Sequence, residues 1–445
     1  MKDGQVIDKL RALPRKLKAQ AALLRRDPQA FAGNLMQVTH PDLFRERLVD
    51  IMNAAPMHVR VDPGLDALRL NILNPALKAS GMTGGPNTIV NLAVRVARAG
   101  VPVRLVTTVD PEGITAEWLK AHLAELVGGA IPDIPIETAA DPERPLAVGP
   151  GELFMATHWT TAQQLKPVLP RMRTPQFLYM LQEFEAAFYA WSSNHALALE
   201  TYGMDIWPVV NEGLLAEHFF AQQVGRFADA AFRERVTVFE PAIESRVFRP
   251  PAGDAPPRPK RLLFYARPSN HRNLFGLGLE ALRVASADPA FAGWEMLAIG
   301  GRGGVPELPL EGGHVLRPAE WRGFLAYAEQ LREADVLLAP MLSPHTGYPA
   351  LEMAATGGLA VTNAFSVKTV RVLEGLSDNI FASEATVEGM AASLVAAARA
   401  VNDRRARTAS LRMPRDWAES LDPAAERLVE VMQGLSATTL ISSQR

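Results

Sequence analysis

The stretch SPHTGYPALEMAATGGLAVTN, residues 343–363, follows the apolar run ADVLLAP and passes into an Ala-rich helical pattern. Gly347 would let a phosphate come close to the backbone, Pro349 suits a helix start, and Glu352 would accept hydrogen bonds from sugar hydroxyls from the first helical turn. Taken alone, the same residues also describe a plain strand-to-helix connection whose carboxylate complements the helix dipole. A second pattern, RLLFYARPSNHRN, places Arg267 after a strand and Arg272 at the next helix start. Two guanidiniums there could clamp a diphosphate bidentately, or be solvated on a loop. A third, GMTGGPN, brings Gly84 and Gly85 between a strand and a helix. His158 follows the apolar run LFMAT, and Glu183 and Glu185 stand in QEFE, so all three could face a cleft or pack structurally.

These residues need elements to hold them, and the chain supplies an alternation of strands and helices. LRLNILNP, GMTGGPN, TIVNLAVRVARAG and VPVRLVTT read as strand, turn, amphipathic helix and strand, a parallel unit with its loop at the carboxyl edge of a sheet. FRPPAGDAPPRPK, residues 248–260, holds five prolines without periodicity and reads as a linker. The alternation then restarts through RLLFYARP, a helix from about Asn273 to Ala287, WEMLAIGG, a helix near Trp321 to Ala334, DVLLAP, GGLAVTN and NIFA. The expected division is a basic helical arm at 1–50, a Rossmann-like domain at 51–249, a Pro-rich linker at 250–260, a second Rossmann-like domain at 261–415 and a final helix at 416–445.

Composition narrows the chemistry. The chain has 445 residues, 48% hydrophobic and 21% charged, with a formal charge of −2 and no cysteine. Disulfides, thiolate metal sites and a cysteine nucleophile are excluded, and no overall charge attracts nucleic acid. No GxGxxG follows a strand, and GxxxxGK[ST], HExxH and GxSxG are missing, so dinucleotide oxidoreductases, P-loop enzymes, zincins and the usual serine hydrolases do not fit. The histidines lack metal-ligand spacing, so no metal is expected. With no apolar run of about 18 residues and no signal-like start, a cytoplasmic protein is the expectation. Basic and leucine residues interleaved before residue 30 suggest weak peripheral contact with the inner membrane face, or an arm folded on its own domain.

Together, GMTGGPN, ARPxxxxRN and PHTGYPALEMAATGG resemble the retaining glycosyltransferases of the GT-B fold, over most of residues 68–435. They are most similar to the WsaF-type rhamnosyltransferases of bacterial cell-surface glycans. The resemblance implies an α/β fold of two Rossmann-like domains facing across a cleft, the N-terminal one for the acceptor and the C-terminal one for a nucleotide-sugar donor, with the last helix crossing back. It implies metal-independent, retaining transfer, with dTDP-L-rhamnose as co-substrate, no cofactor, and a glycan or lipid-linked glycan as acceptor. It leaves room for a homodimer. Residue by residue, Gly84 and Gly85 match the loop beside the donor phosphates, Arg267 the diphosphate arginine, and Arg272 a position where a lysine is usual. Glu352 matches the second glutamate of a pair, which holds the nucleotide ribose.

The first glutamate of that pair is replaced by Pro344, with His345 and Thr346 beside it, which puts His345, Thr346, Gly347 and Tyr348 among the donor contacts. His158 is a catalytic candidate with Arg267 and Arg272, and Glu183 and Glu185 are candidates for the acceptor. A non-catalytic nucleotide-sugar scaffold and a nucleotide-sugar epimerase remain as alternatives.

Overall fold

The central strands are short, largely apolar runs buried on both faces, the pattern of a parallel sheet covered by helices on either side, while the edge strands are partly exposed. The computed structural model describes residues 57–442 apart from 66, 83, 110–112, 252–257, 302–304 and 404–407. The arm expected at 1–50 and the middle of the linker lie outside the described residues.

Among the described residues nine strands precede the linker: β1 (Val59–Val61), β2 (Leu70–Asn74), β3 (Val103–Thr107), β4 (Ile136–Thr138), β5 (Leu146–Val148), β6 (Leu153–Ala156), β7 (Phe177–Leu181), β8 (Ile206–Asn211) and β9 (Thr237–Phe239). Seven of them form one sheet in the order β4-β3-β2-β6-β7-β8-β9, while β1 and β5 pair separately. After it come β10 (Arg261–Tyr265), β11 (Glu295–Ile299), β12 (Leu308–Pro309), β13 (Val315–Pro318), β14 (Val336–Leu338), β15 (Leu359–Asn363) and β16 (Ile380–Ser383). These make a second seven-stranded sheet, β12-β13-β11-β10-β14-β15-β16, parallel except where β12 meets β13.

Strand order decides where a ligand can sit. In the first sheet the chain winds outward from β2 through β3, then returns to lay β6 on the other side of β2. The second sheet reverses in the same way between β10 and β14. Loops diverge at such switch points and leave a crevice beyond the strand ends. Gly84 and His158 follow β2 and β6, while Arg267 and the 343–347 loop follow β10 and β14, so two crevices meet.

The long helix Trp417–Ser442 returns to the first sheet, where Leu421, Ala424, Leu428 and Met432 join the core around Leu70, Val90 and Val94. Arg95 on the helix Gly85–Arg98 pairs with Asp422 of this helix. Ile243 N–H donates to Pro414 O at 2.9 Å, and Ser245 N–H to Arg415 O at 3.1 Å, so the two crossings between sheets run side by side.

Three sequence expectations shift. The helix placed from about Asn273 begins at Phe275, because Leu274 takes a left-handed φ of 48° that ends the preceding turn. The one placed near Trp321 spans Phe324–Arg332. The helix Tyr348–Ala355 starts one residue before Pro349, so Glu352 falls in the second turn, beyond the reach of a first-turn dipole effect.

A buried polar knot ties the strands that carry the first crevice. Arg104 donates to Asn71 Oδ1 at 2.7 Å and to Glu152 Oε2 at 3.0 Å, and Asn71 Nδ2 donates to the same Glu152 oxygen at 2.8 Å. Arg104 and Glu152 are both buried, so removing the cation strands a carboxylate away from water. Arg104→Ala should therefore cost about 3–5 kcal/mol, read by urea unfolding; a loss under about 1 kcal/mol would mean the pair is solvated.

Candidate active site

One cleft of about 940 Å³ between the two sheets is lined by every residue singled out above: Gly84, Gly85, His158, Glu183, Glu185, Arg267, Arg272, His345, Thr346, Gly347, Tyr348 and Glu352. Their surroundings differ, and so does the chemistry open to each.

On the first wall, Gly84 caps the helix Gly85–Arg98 with φ 49° and ψ −119°, a conformation costly for a side chain with a Cβ. Gly85, Asn87 and Thr88 at that helix start line the cleft. His158 caps the helix Trp159–Leu165: its Nδ1 takes the Thr160 N–H at 3.4 Å and meets Thr160 Oγ1 at 2.8 Å. Nε2 therefore carries the proton, and burial lowers the ring to about 4, so it is neutral near pH 7. Glu185 is turned into the wall, where its carboxyl receives Trp159 N–H at 2.6 Å and Tyr179 O–H at 3.2 Å. Burial pushes it up to about 8.

On the second wall, Gly347 has φ 83°, and a Cβ there would stand 3.0 Å from Met341 Sδ. Its N–H donates to His345 Nδ1 at 3.0 Å, which puts the imidazole proton on Nε2. Glu352 does not act on its own helix end; it accepts Tyr327 O–H at 2.9 Å, and burial raises its carboxyl to about 7. Arg267 lies beside the Tyr265 ring, 5.8 Å from its centroid, and among the described residues no carboxylate pairs with it. Arg272 differs, because its guanidinium is already engaged.

The two walls are joined by carboxylates of the first. Glu183 receives Arg272 Nη1 at 2.7 Å, Ser343 Oγ at 2.5 Å and His345 Nε2 at 3.0 Å. Burial opposes its charge, but these donors prevail and hold it well below the usual carboxylate range. Glu212 receives Thr346 N–H and Thr346 Oγ1–H, each at 2.7 Å. Asn211 Nδ2 donates to Tyr348 O–H at 3.1 Å, and His218 meets Ser366 Oγ at 2.8 Å.

Sequence reasoning missed Asn211, Glu212, Ser343 and Lys368. Asn211 ends β8 and Glu212 follows it, and the run IWPVVN carries Pro208, a residue that argues against an interior strand. A closer signal was the order of apolar run, polar pair, glycine and helix, which repeats the Gly84 scheme. Lys368 is fully buried, with Nζ 3.2 Å from Met341 O, and burial lowers it to about 8. Nothing in its short context marks it.

The raised carboxyls have a measurable consequence. Glu185 stays protonated in the folded protein after the unfolded chain has ionised, so between about 4.5 and 8 folding binds the extra proton and loses stability as pH rises. Glu352 adds the same slope up to about 7, whereas His158 slopes the opposite way below 6.5. Comparing Glu185→Gln with wild type cancels the histidine. The variant should gain in Tm on the wild type steadily from pH 5 to pH 8, and a constant difference would show an ordinary carboxyl.

Residues 69–211 match the family model described as WsaF, N-terminal domain, and residues 260–395 match WsaF, C-terminal domain. The O-antigen biosynthesis protein RfbC of Myxococcus xanthus is 33% identical over 296 residues, 64% of this chain and 21% of that protein, so this chain spans about a fifth of that relative's length. Sucrose-phosphate synthase from Thermosynechococcus elongatus aligns at TM-score 0.50 and 14% identity, covering 85% of this chain and 98% of that one. Anabaena Alr3699/HepE, solved in complex with UDP-glucose, aligns at TM-score 0.50 and 14% identity over 84% and 99%. These two structures share the GT-B fold, and the matched domains, one on each side of the cleft, set the kinship: the chain belongs to the WsaF family.

Proposed function

We propose that this protein transfers a hexose, L-rhamnose from dTDP-L-rhamnose, to a growing cell-surface glycan, with retention of configuration and without a metal. The observation that carries the reading is the convergence, in one cleft, of helix starts at Gly85 and Tyr348 with Arg267 and Arg272. Two sets of free amides and two guanidiniums suit a diphosphate whose charge grows as it departs. The name of the RfbC relative, an O-antigen biosynthesis protein, supports a glycan product. Work at the cytoplasmic membrane face, with the basic first 30 residues giving weak contact to anionic lipid, belongs to the same reading.

Arg267 holds the β-phosphate directly, being the guanidinium without a carboxylate beside it. The acceptor oxygen forms the new bond to the anomeric carbon as the bond to the phosphate oxygen breaks, and the bonding pair leaves with dTDP. The acceptor proton passes to that phosphate oxygen on the same face. His158 Nε2–H stands on the acceptor wall as a neutral donor that orients a sugar hydroxyl. Glu352 accepts from the nucleoside sugar, for which Tyr327 O–H holds it.

The direct test is incubation with dTDP-L-rhamnose and a rhamnose-terminated acceptor, with release of dTDP as readout. Release without acceptor-dependent transfer would point to hydrolysis, and a changed sugar nucleotide with no acceptor would point to epimerisation. Arg267→Ala should lower turnover by about 10²–10³, the usual effect of losing a donor to a developing oxyanion, and donor affinity by less. Glu352→Gln should weaken donor binding by about 1.5–3 kcal/mol in titration calorimetry. If both variants bind and transfer as wild type does, the donor sits elsewhere.

A further inference from the structure

Arg272 is the cation that a donor diphosphate would have to share. Its Nη1 lies 2.7 Å from Glu183 Oε2, its face covers Phe188 at 4.6 Å, and its Nε is buried without a partner. Glu183 comes from the opposite wall, just past β7, and its carboxylate is buried. A ligand phosphate reaching Arg272 therefore meets a fixed negative charge.

That charge cannot easily move away. Ser343 and His345 also hold Glu183, and the His345 ring is in turn oriented by Gly347 N–H. A carboxylate has about four acceptor sites, and four donors occupy this one, Phe184 N–H at 3.1 Å being the fourth, so a further hydroxyl can enter only where a donor leaves. Once Arg272 turns toward phosphate, that one site opens. The transfer proposed above puts the group attached to the β-phosphate on the acceptor side of Arg272, the side from which Glu183 projects. A sugar there offers O–H donors; a bare nucleoside diphosphate offers a terminal phosphate oxygen with extra negative charge.

We propose that Glu183 is the specificity-determining residue of the donor site: it competes with phosphate for Arg272, repels bare nucleoside diphosphate, and exchanges the guanidinium for hydroxyls of the transferred sugar. The inference rests on the glycosyl-transfer reading above and adds to it how substrate is distinguished from product. Binding a sugar nucleotide replaces the lost ion pair with hydrogen bonds to a charged acceptor. Binding the product replaces it with nothing and sets two anions side by side. Lys368, buried behind Met341, tempers the repulsion without reaching the sugar, since its ammonium bonds the Met341 carbonyl.

The test is the ratio of two affinities, measured by calorimetry with dTDP and dTDP-L-rhamnose, and with UDP and UDP-glucose in parallel. Glu183→Gln keeps the shape and removes the charge. It should tighten bare dTDP about tenfold while dTDP-L-rhamnose binds no better or weaker, so discrimination falls by at least about tenfold, and transfer slows through product retention. A defect of folding or of general packing would weaken both ligands together. Equal changes in both affinities, or weaker dTDP binding in the variant, would overturn the assignment. Ser343→Ala, which removes one donor holding the carboxylate, should shift the ratio in the same direction by less, and serves if the first variant does not fold; an unchanged ratio there counts against the idea too. If wild-type protein binds none of the four ligands, the function proposed above fails and takes this inference with it. Should wild type bind and the ratio stay fixed in the variants, this inference alone is lost.

Discussion

Two carboxylates of the first domain, Glu183 and Glu212, sit on the 343–347 loop of the second, and the cleft depends on that contact. Glu212 takes both the N–H and the hydroxyl of Thr346, while Glu183 collects Ser343, His345 and Arg272. Buried carboxylates are expensive unless they are fully hydrogen-bonded. Separating the domains would cost these groups their donors but return them to water, so the contact is close to balanced and well suited to reversible closure. It also fixes the start of the helix Tyr348–Ala355, whose first residues line the cleft.

The backbone shows where this arrangement is held by force. Glu212 has a φ of 146°, a region that non-glycine residues rarely enter, and it gives its side chain to Thr346 rather than to its own helix end. Gly213 N–H donates to Glu240 Oε1 at 2.9 Å in its place. Strain of this kind survives only where surrounding contacts over-determine it, and it gathers at functional sites. Gly347 solves the equivalent problem on the facing loop without strain, because it has no Cβ to strike Met341.

Electrostatics divides the cleft into parts that the residue types alone do not distinguish. Arg267 and Arg272 have the same charge, yet one stands beside a tyrosine ring and the other is already paired. Glu183 and Glu185 are two residues apart, yet the first is held ionised by its donors and the second is driven toward neutrality by burial. In a continuing strand residues two apart would share a face, but β7 ends at Leu181 and Glu185 opens a short 3-10 helix, so the chain turns between them and Glu185 meets Trp159 and Tyr179.

The sequence by itself determined the α/β class, the order of most strands and helices, and the loops of Gly84, Arg267 and Gly347, because hydrophobic period and glycine placement are local signals. It also contained the family's segments, so kinship was legible before any contact was known. It did not reveal β8, where Pro208 masks the strand, nor the second-turn position of Glu352, since helix ends are set by capping contacts. Above all it could not assign partners: Glu183 and Ser343 are 160 residues apart, and Glu212 and Thr346 are 134. Those pairs exist because two separately wound sheets present their switch points to each other, and the ionised state of Glu183 follows from that meeting, through donors that no local pattern encodes.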